Sequence, residues 1–212
     1  MFQLKVLTFN AVQENTYLLF NEKKSCIIID PGFYNDEERQ EMEGFIKTNH
    51  LVPKWLLNTH CHLDHVFGNK YIGEAYRLTL HIHKDEEPVL QMAPSMGLMF
   101  NFPFDNYTGR LIYLKEGDII KMDDDELEVM EAPGHSPGSI CFYCKKQNFI
   151  VSGDVLFQNS MGRTDLPGGS HDTLIKSIKE KLFTLPDEVI VYPGHGPATT
   201  IGEEKRSNPW VK

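Results

Sequence analysis

The sequence predicts an α/β protein in which two mixed β-sheets pack together with helices on their outer faces. Two observations indicate this arrangement. Strand-like runs fall into one set near the start of the chain and a second set after residue 110, and helical segments interrupt or follow each set. The 212 residues are 41% hydrophobic, which is enough for one sizeable core. We therefore expect a single domain over residues 1–212.

The first half of the chain begins with strands and then alternates helices with strands. In the segment 35–49, the apolar residues Met42, Phe45 and Ile46 have the spacing of one helical stripe, and Asn35 is the candidate N-cap. The predicted strands of this half are 2–9, 16–20, 26–29, 55–58 and 78–83, and the predicted helices are 35–49, 71–76 and 84–92.

The second half follows a segment without a clear period. Residues 93–107 are rich in Met and Phe but fit neither a helix nor a strand, so we expect a loop that either packs into the core or forms an apolar wall beside the functional site. The predicted strands after it are 111–114, 119–122, 126–132, 139–144, 148–151 and 189–192, and the predicted helices are 171–182 and 200–206.

Charge and composition exclude several classes of function. A net charge of −9, with no run of Lys and Arg, repels polyanions, so nucleic acid is not expected as a partner. No apolar run approaches the roughly 20 residues that span a membrane, and the start of the chain lacks a signal-peptide core. We expect a cytoplasmic protein with reduced cysteines and no membrane partner. The oligomeric state stays open.

One short stretch after the fourth predicted strand holds three histidines and an aspartate. Histidine is the commonest metal ligand, and a short turn lets several imidazole rings converge on one point. A strand that ends at Thr59 would direct His60 and His62 to one point. A helix that follows would direct Asp64 and His65 to a neighbouring point. The stretch therefore predicts two metal ions.

Three further loops carry candidate ligands at the ends of strand-like runs. His135 lies in a turn of glycines and prolines, Asp154 follows the apolar run 149–151, and His195 follows the run 189–192. Open α/β folds collect binding residues on tight loops at strand ends. These three residues are therefore predicted to join the same site.

Together these segments resemble the metallo-β-lactamase fold superfamily. The segments that carry the resemblance are, in order, Asp30-Pro31-Gly32, residues 60–65, His135, Asp154 and His195. Within the superfamily, GDVLF at 153–157, GR at 162–163 and GHG at 194–196 look like the glyoxalase II branch, the hydroxyacylglutathione hydrolases. The stretch RTDLPGG at 163–169, with Asn208-Pro209, is similar to short, single-domain members of that branch. The resemblance implies an αβ/βα four-layer sandwich with metals along one edge.

The resemblance also implies the ligands and the chemistry. It implies two metal sites bridged by one aspartate: His60, His62 and His135; Asp64, His65 and His195; and Asp154 between them. Such ligands suit two Zn²⁺ ions and also accept iron or manganese. A hydroxide shared by the ions would attack a small-molecule thioester such as hydroxyacylglutathione, and Asp64 would be the catalytic residue that orients this hydroxide or carries its proton.

Two other functions remain open from the sequence. The first is a mononuclear iron persulfide dioxygenase of the same fold, which would use His60, His135 and Asp154. The second is a metal-binding module without catalytic activity. Structural zinc sites are usually closed by cysteines, whereas the predicted sites are open, which disfavours the module.

Several other polar residues are assigned structural roles. Asp30 is expected to anchor the ligands, Arg163 to pair with Asp165, and His81 and His83 to form a surface pair. Only residues 198–212 follow the last histidine motif, so the helical domain that binds glutathione in full-length glyoxalase II is not expected here. We therefore expect only a modest preference for glutathione thioesters.

Overall fold

The first sheet is built from the first half of the chain. The structure, a computed structural model, describes residues 1–211. Six strands lie side by side in chain order. The second strand is antiparallel to the first and the third, and the third to the sixth strands run parallel because helices cross over between them. The elements are β1 (Gln3–Phe9), β2 (Glu14–Phe20), β3 (Ser25–Ile29), α1 (Asp36–Thr48), β4 (Val52–Leu57), α2 (Leu63–Val66), α3 (Asn69–Tyr76), β5 (Leu80–His83), α4 (Glu87–Met99) and β6 (Leu111–Leu114).

The second sheet comes from the second half of the chain and is largely antiparallel. Its strand order is β14-β13-β10-β9-β8-β7, and only β10 and β13 pair in parallel. A small hairpin, β11 with β12, stands apart from it. The elements are β7 (Ile119–Met122), β8 (Asp125–Glu131), β9 (Ile140–Cys144), β10 (Phe149–Gly153), β11 (Leu156–Phe157), β12 (Ser160–Met161), α5 (His171–Glu180), β13 (Ile190–Pro193), β14 (Thr199–Thr200) and α6 (Ile201–Ser207).

Three apolar layers hold these elements together. On β3, Ile27 and Ile29 point to the second sheet while Cys26 and Ile28 point to the helices, as the two-residue period of a strand requires. The same alternation separates Cys141 from Cys144 on β9. One layer therefore lies between the sheets and one beneath the helices on each side. The predicted sandwich of two mixed sheets with helices outside is confirmed.

The loop predicted from residue 93 is wrong for residues 93–99, which continue α4. Pro94 lies inside this helix and has no N–H to donate to the carbonyl of Leu90. The side chain of Asn106 supplies the missing donor, because its Nδ2 lies 2.6 Å from the Leu90 oxygen. The irregular segment that follows the helix, residues 100–110, thus stabilises it, and residues 100–107 are irregular as predicted.

The prediction that His81 is a surface residue is also wrong. Its side chain is only 9% exposed and packs against Trp55, with 4.9 Å between the ring centres. His83, two residues further along β5, is half-buried and lies 3.3 Å from a carboxylate oxygen of Glu131. Within residues 1–211, no helix is both long and apolar enough to cross a bilayer.

Candidate metal centre

The predicted ligands meet at one edge of the sandwich, where strands of both sheets end. His60 and His62 lie in the turn between β4 and α2, and His135 lies between β8 and β9. The other ligands lie on α2 (Asp64 and His65), directly after β10 (Asp154) and directly after β13 (His195). The fold therefore brings all seven side chains together, although they span 136 positions of the sequence, from 60 to 195.

His60, His62 and His135 form what we call the trihistidine cluster. His62 Nδ1 lies 2.8 Å from His135 Nε2, which lies 3.2 Å from His60 Nε2. Three ring nitrogens that face one another cannot all be satisfied by the protons they carry. Four nitrogens around a tetrahedral zinc ion, each at 2.0–2.1 Å, are about 3.3 Å apart. The spacing in this cluster therefore fits a metal ion.

Asp64, His65 and His195 form what we call the mixed cluster. Asp64 Oδ2 lies 3.2 Å from His195 Nε2 and 3.6 Å from His65 Nε2. The Nε2 atom of His65 is buried and has no hydrogen-bond partner. A buried polar atom without a partner is costly, and a cation at the centre of the cluster would remove that cost.

Asp154 contacts both clusters. Its Oδ1 lies 3.5 Å from His65 Nε2, and its Oδ2 lies 3.5 Å from His135 Nε2 and 3.6 Å from His195 Nε2. Oδ1 is buried and lacks a hydrogen-bond partner. Oδ1 faces the mixed cluster, whereas Oδ2 lies between the two clusters, so this carboxylate contacts both.

The donor set fits divalent metal ions in both clusters. It consists of imidazoles and carboxylates, which suit zinc, iron and manganese. Cys61, between two of the histidines in the sequence, packs its side chain into the apolar layer beneath the helices instead. Burial raises the pKa of its thiol well above the usual value, so it stays a neutral apolar group.

Burial makes the trihistidine cluster a set of neutral imidazoles. Loss of solvent lowers the pKa of His60 well below its usual value and that of His62 to about 3. The pKa of His135 is lowered for the same reason. Each of these shifts is deepened by the neighbouring histidines, since a proton on one ring repels a proton on the next. Neutral imidazole is the form that binds metals.

The mixed cluster has the opposite electrostatics. Burial alone would lower the pKa of His65, but Asp64, Asp154 and Asp30 outweigh it and raise the pKa well above the usual value. The pKa of His195 is also raised, because contacts with Asp64 and Asp154 outweigh burial. In return, His65 and His195 hold the pKa of Asp64 below its usual range despite burial. Without a metal, this cluster is a network of paired charges.

Asp30 anchors the ligands, as expected from the sequence. Its Oδ1 accepts a hydrogen bond from the Thr59 N–H at 2.7 Å, and its Oδ2 accepts one from Thr59 Oγ1 at 2.6 Å. The same Oδ2 lies 3.1 Å from His65 Nδ1. Because a hydrogen bond at one ring nitrogen orients the other, Asp30 directs His65 Nε2 into the site.

Sequence analysis missed Glu86, which ties together the two loops of the trihistidine cluster. Its carboxylate is buried and accepts hydrogen bonds from the Cys61 N–H at 2.7 Å, the Gly138 N–H at 2.7 Å and Ser136 Oγ at 2.5 Å. In the sequence it lies in a run of charges. The signal in the sequence is its spacing: Glu86 precedes Val89 by three residues and Leu90 by four, and both of these lie on the buried face of α4.

Glu14 is the second residue that sequence analysis missed. It is fully buried at the start of β2, and its Oε1 lies 3.8 Å from His65 Nδ1. Burial raises the pKa of its carboxyl well above the usual value. Oε2 accepts a hydrogen bond from Thr16 Oγ1 at 2.9 Å, and a side chain at Gly32 would collide with it. No local pattern marks Glu14, because His65 and Gly32, which place it beside the site, are distant in the sequence.

A cavity of about 560 Å³ opens beside the clusters. Most of its wall is apolar and comes from α4, the irregular segment after α4 and the β11–β12 hairpin. Asp64, His62, His135, Asp154 and His195 lie at its polar end. Arg163 also lines it, and pairs with Asp165 through two contacts of 2.7 and 2.8 Å, as the sequence predicted.

Comparison with known proteins identifies relatives along the whole chain. The sequence profile of the Metallo-beta-lactamase superfamily matches residues 9–195. The hydroxyacylglutathione hydrolase GloC of Haemophilus influenzae is 36% identical over 210 residues, which cover 98% of this chain and 97% of the relative.

Solved structures with the same fold include two that are 34% identical to this chain. The crystal structure of BLEG-1, described as a B3 metallo-β-lactamase, has a TM-score of 0.90 and covers 99% of this chain and 100% of its own. The structure of TTHA1623 in a di-iron-bound form has a TM-score of 0.87 and covers 97% of this chain and 99% of its own.

Proposed function

This chain belongs to the metallo-β-lactamase superfamily, and we propose that it is a thioester hydrolase that works with two divalent metal ions. The observation that carries the proposal is the position of Asp154, whose Oδ1 faces the mixed cluster and whose Oδ2 lies between the two clusters. Similarity to a hydroxyacylglutathione hydrolase supports the thioester bond as the target.

The ligand sets follow from the geometry. The trihistidine cluster would hold one ion, the mixed cluster would hold the second, and Asp154 would contact both. Zinc, iron and manganese all suit these ligands. When bound, the two ions lower the pKa of a shared water from about 15.7 toward 7, so that a hydroxide is available at neutral pH.

Asp64 is the residue placed to handle the proton of the nucleophile. Its carboxylate lines the cavity, and its Oδ2 lies 3.2 Å from His195 Nε2, so one lone pair remains for a water molecule. Asp64 would orient the water and accept its proton.

The rest of the reaction needs few protein groups. The water oxygen adds to the thioester carbonyl carbon, the C–S bond breaks, and the products are a carboxylic acid and a thiol. A thiolate is a good leaving group, because thiols have pKa values of about 8.5, so the reaction does not need a dedicated general acid.

Metal analysis and one assay test this proposal. We expect two metals per chain by elemental analysis of the active protein, and hydrolysis of a hydroxyacyl thioester at the same rate in air and under nitrogen. One iron per chain, together with oxygen uptake on a persulfide, would instead assign the protein to the persulfide dioxygenases. A β-lactam serves as a third substrate, and its preferred hydrolysis would contradict the choice of thioesters.

A further inference from the structure

We propose that the substrate carries an apolar group next to the thioester, and that the anionic tripeptide of glutathione is not its main recognition element. This inference rests on the proposed function and adds the class of substrate to it. The cavity beside the metal-ligand clusters carries the argument, through its shape, the chemistry of its wall and the charges around it.

The cavity is large enough for such a group. Its volume of about 560 Å³ lies within the 300–1,000 Å³ that is usual for small-molecule sites. One wall is formed by α4 and the irregular segment after it, with Val89, Met96 and Phe102. Val12 and Phe157 also line the cavity. An apolar chain attached to a thioester at the polar end would be buried against these side chains.

The wall offers almost nothing for an anion. Of the residues that line the cavity, all in the described part of the chain, Arg163 is the only lysine or arginine. Its guanidinium is already held by both carboxylate oxygens of Asp165. The two carboxylates of glutathione would have to be desolvated there without free cationic partners, which is costly.

Two cations in a depression that shares Phe67 with the cavity are occupied as well. These cations are Arg39 and Lys70. Arg39 lies 3.1 Å from Asp36, and Lys70 lies 3.2 Å from Asp105. This depression therefore does not provide an unpaired cationic site for a carboxylate either.

The rim of the cavity points to the same class of substrate. Met92 is 44% exposed and Phe100 is 50% exposed, and both line the opening. Large exposed apolar side chains beside a site are typical of a surface that is covered when its ligand binds. An apolar substrate group that reaches the rim would cover them, whereas a charged tripeptide would not.

A chain-length series tests the inference directly. The substrates are the acetyl, butanoyl, hexanoyl and octanoyl thioesters of N-acetylcysteamine, together with S-hexanoylglutathione. We expect kcat/KM to rise about threefold per methylene, and at least about 30-fold from acetyl to hexanoyl, because each buried methylene adds to binding. The kcat/KM for S-hexanoylglutathione should be no more than about tenfold higher than that for the hexanoyl thioester of N-acetylcysteamine.

A pair of variants on one helix locates the effect. In M96K a charge enters the wall, so kcat/KM for the hexanoyl thioester should fall at least about tenfold, while that for S-hexanoylglutathione should fall less, because the new ammonium can pair with a carboxylate of the tripeptide. M99K is the matched control, since Met99 lies on the same helix, is 75% exposed and does not line the cavity. It should match the parent protein, and circular dichroism with metal analysis verifies that both variants fold.

Two results would overturn the inference and leave the proposed function intact. One is a chain-length series that is flat to within about threefold. The other is a preference above about a hundredfold for the glutathione thioester. If no thioester is hydrolysed, the proposed function fails, and calorimetry with two inert thioethers still tests the cavity. There, tighter binding of S-hexyl-N-acetylcysteamine than of S-hexylglutathione supports the inference, and the reverse order overturns it.

Discussion

The trihistidine cluster and the mixed cluster lie side by side but are held in place by different forces. In the trihistidine cluster the rings are neutral, because burial lowers their pKa values, and the loops that carry them are tied by hydrogen bonds to Glu86. In the mixed cluster the histidines gain charge from nearby carboxylates, and its outermost member, His195, has a side chain that is 26% exposed.

The difference teaches how each cluster would take up a metal. A cluster of neutral imidazoles has no proton to release and no ion pair to break. A cluster of paired charges must release the protons of its histidines before their ring nitrogens can bind. We therefore expect two unequal affinities, with the stronger pH dependence at the mixed cluster.

The largest effect is expected from the loss of Asp154, the residue that contacts both clusters. D154A should lower thioester hydrolysis at least about 1,000-fold, roughly 4 kcal/mol of transition-state stabilisation, because both ions would lose a ligand at once. Steady-state kinetics and elemental analysis measure this, and far-ultraviolet circular dichroism should show an intact sheet. Activity within tenfold of the parent would rule out the bridging role.

Glu86 allows the trihistidine cluster to be weakened alone. E86Q leaves the three donors with one good acceptor oxygen instead of two, so the affinity of this cluster should fall about 10- to 100-fold while the mixed cluster keeps its ion. S136A removes a single hydrogen bond and should have a smaller effect in the same direction. Chelator competition and the visible spectrum of the cobalt-loaded protein measure both.

The control for these variants is E87Q, which changes the neighbouring residue. Glu87 accepts a hydrogen bond from the Tyr113 hydroxyl and contacts neither ligand loop. In E87Q, the metal affinities of both clusters should stay within about threefold of those of the parent protein. Equal losses at both clusters in E86Q would show that Glu86 supports the fold as a whole and does not position one cluster.

The pH dependence of stability in the metal-free protein should separate the clusters. The lowered pKa values of the trihistidine cluster mean that its contribution to stability is complete above about pH 6.5 and is lost as the pH falls, for His62 toward pH 3. The raised pKa values of His65 and His195 mean that their contribution is complete below about pH 6.5 and is lost as the pH rises through those values.

Urea titrations in the presence of a chelator measure this dependence. The midpoint should be highest near neutral pH and fall on both sides. H62A should flatten the acid side and H195A the alkaline side. A parent midpoint that rises steadily from pH 4 to pH 9 would contradict the raised pKa values of His65 and His195, and one that falls steadily would contradict neutral rings in the trihistidine cluster.

The smallest expected effect concerns Glu14. E14Q keeps the shape of the buried side chain, and the distance of 3.8 Å from His65 Nδ1 is too long for a hydrogen bond. The affinity of the mixed cluster should fall less than tenfold, and that of the trihistidine cluster should not change. The same cobalt titration decides this, and a loss as large as that from E86Q would mean that Glu14 acts on His65 directly.

Local patterns in the sequence predicted the longer strands, most helices and the positions of the ligand loops, but not the two-residue strands β11, β12 and β14. The periodicity of apolar residues identifies one strand or helix at a time. A ligand that directly follows a strand can therefore be located from the same local pattern. The loop predicted for residues 93–99 was wrong because the helix there depends on a donor from Asn106, which lies outside the helix. The surface position predicted for His81 was wrong because its burial depends on Trp55 from the neighbouring strand.

The residues that hold the ligands were harder to predict than the ligands. Glu86 acts on main-chain groups that lie 25 and 52 positions away along the chain. Such a pairing leaves no mark in the local sequence. The spacing of Glu86 with Val89 and Leu90 shows that it faces inward, but a folded structure is needed to show which loops it meets.

Each cluster draws on both halves of the chain, and this has a consequence for how the protein assembles. His60 and His62 follow a strand of the first sheet, whereas His135 follows a strand of the second. Neither half alone holds all three members of either cluster, so a complete cluster forms only when the sheets have docked. If the chain is cut between β6 and β7, cobalt colour should develop only when the two fragments are mixed, which would make the ion a reporter of fragment complementation.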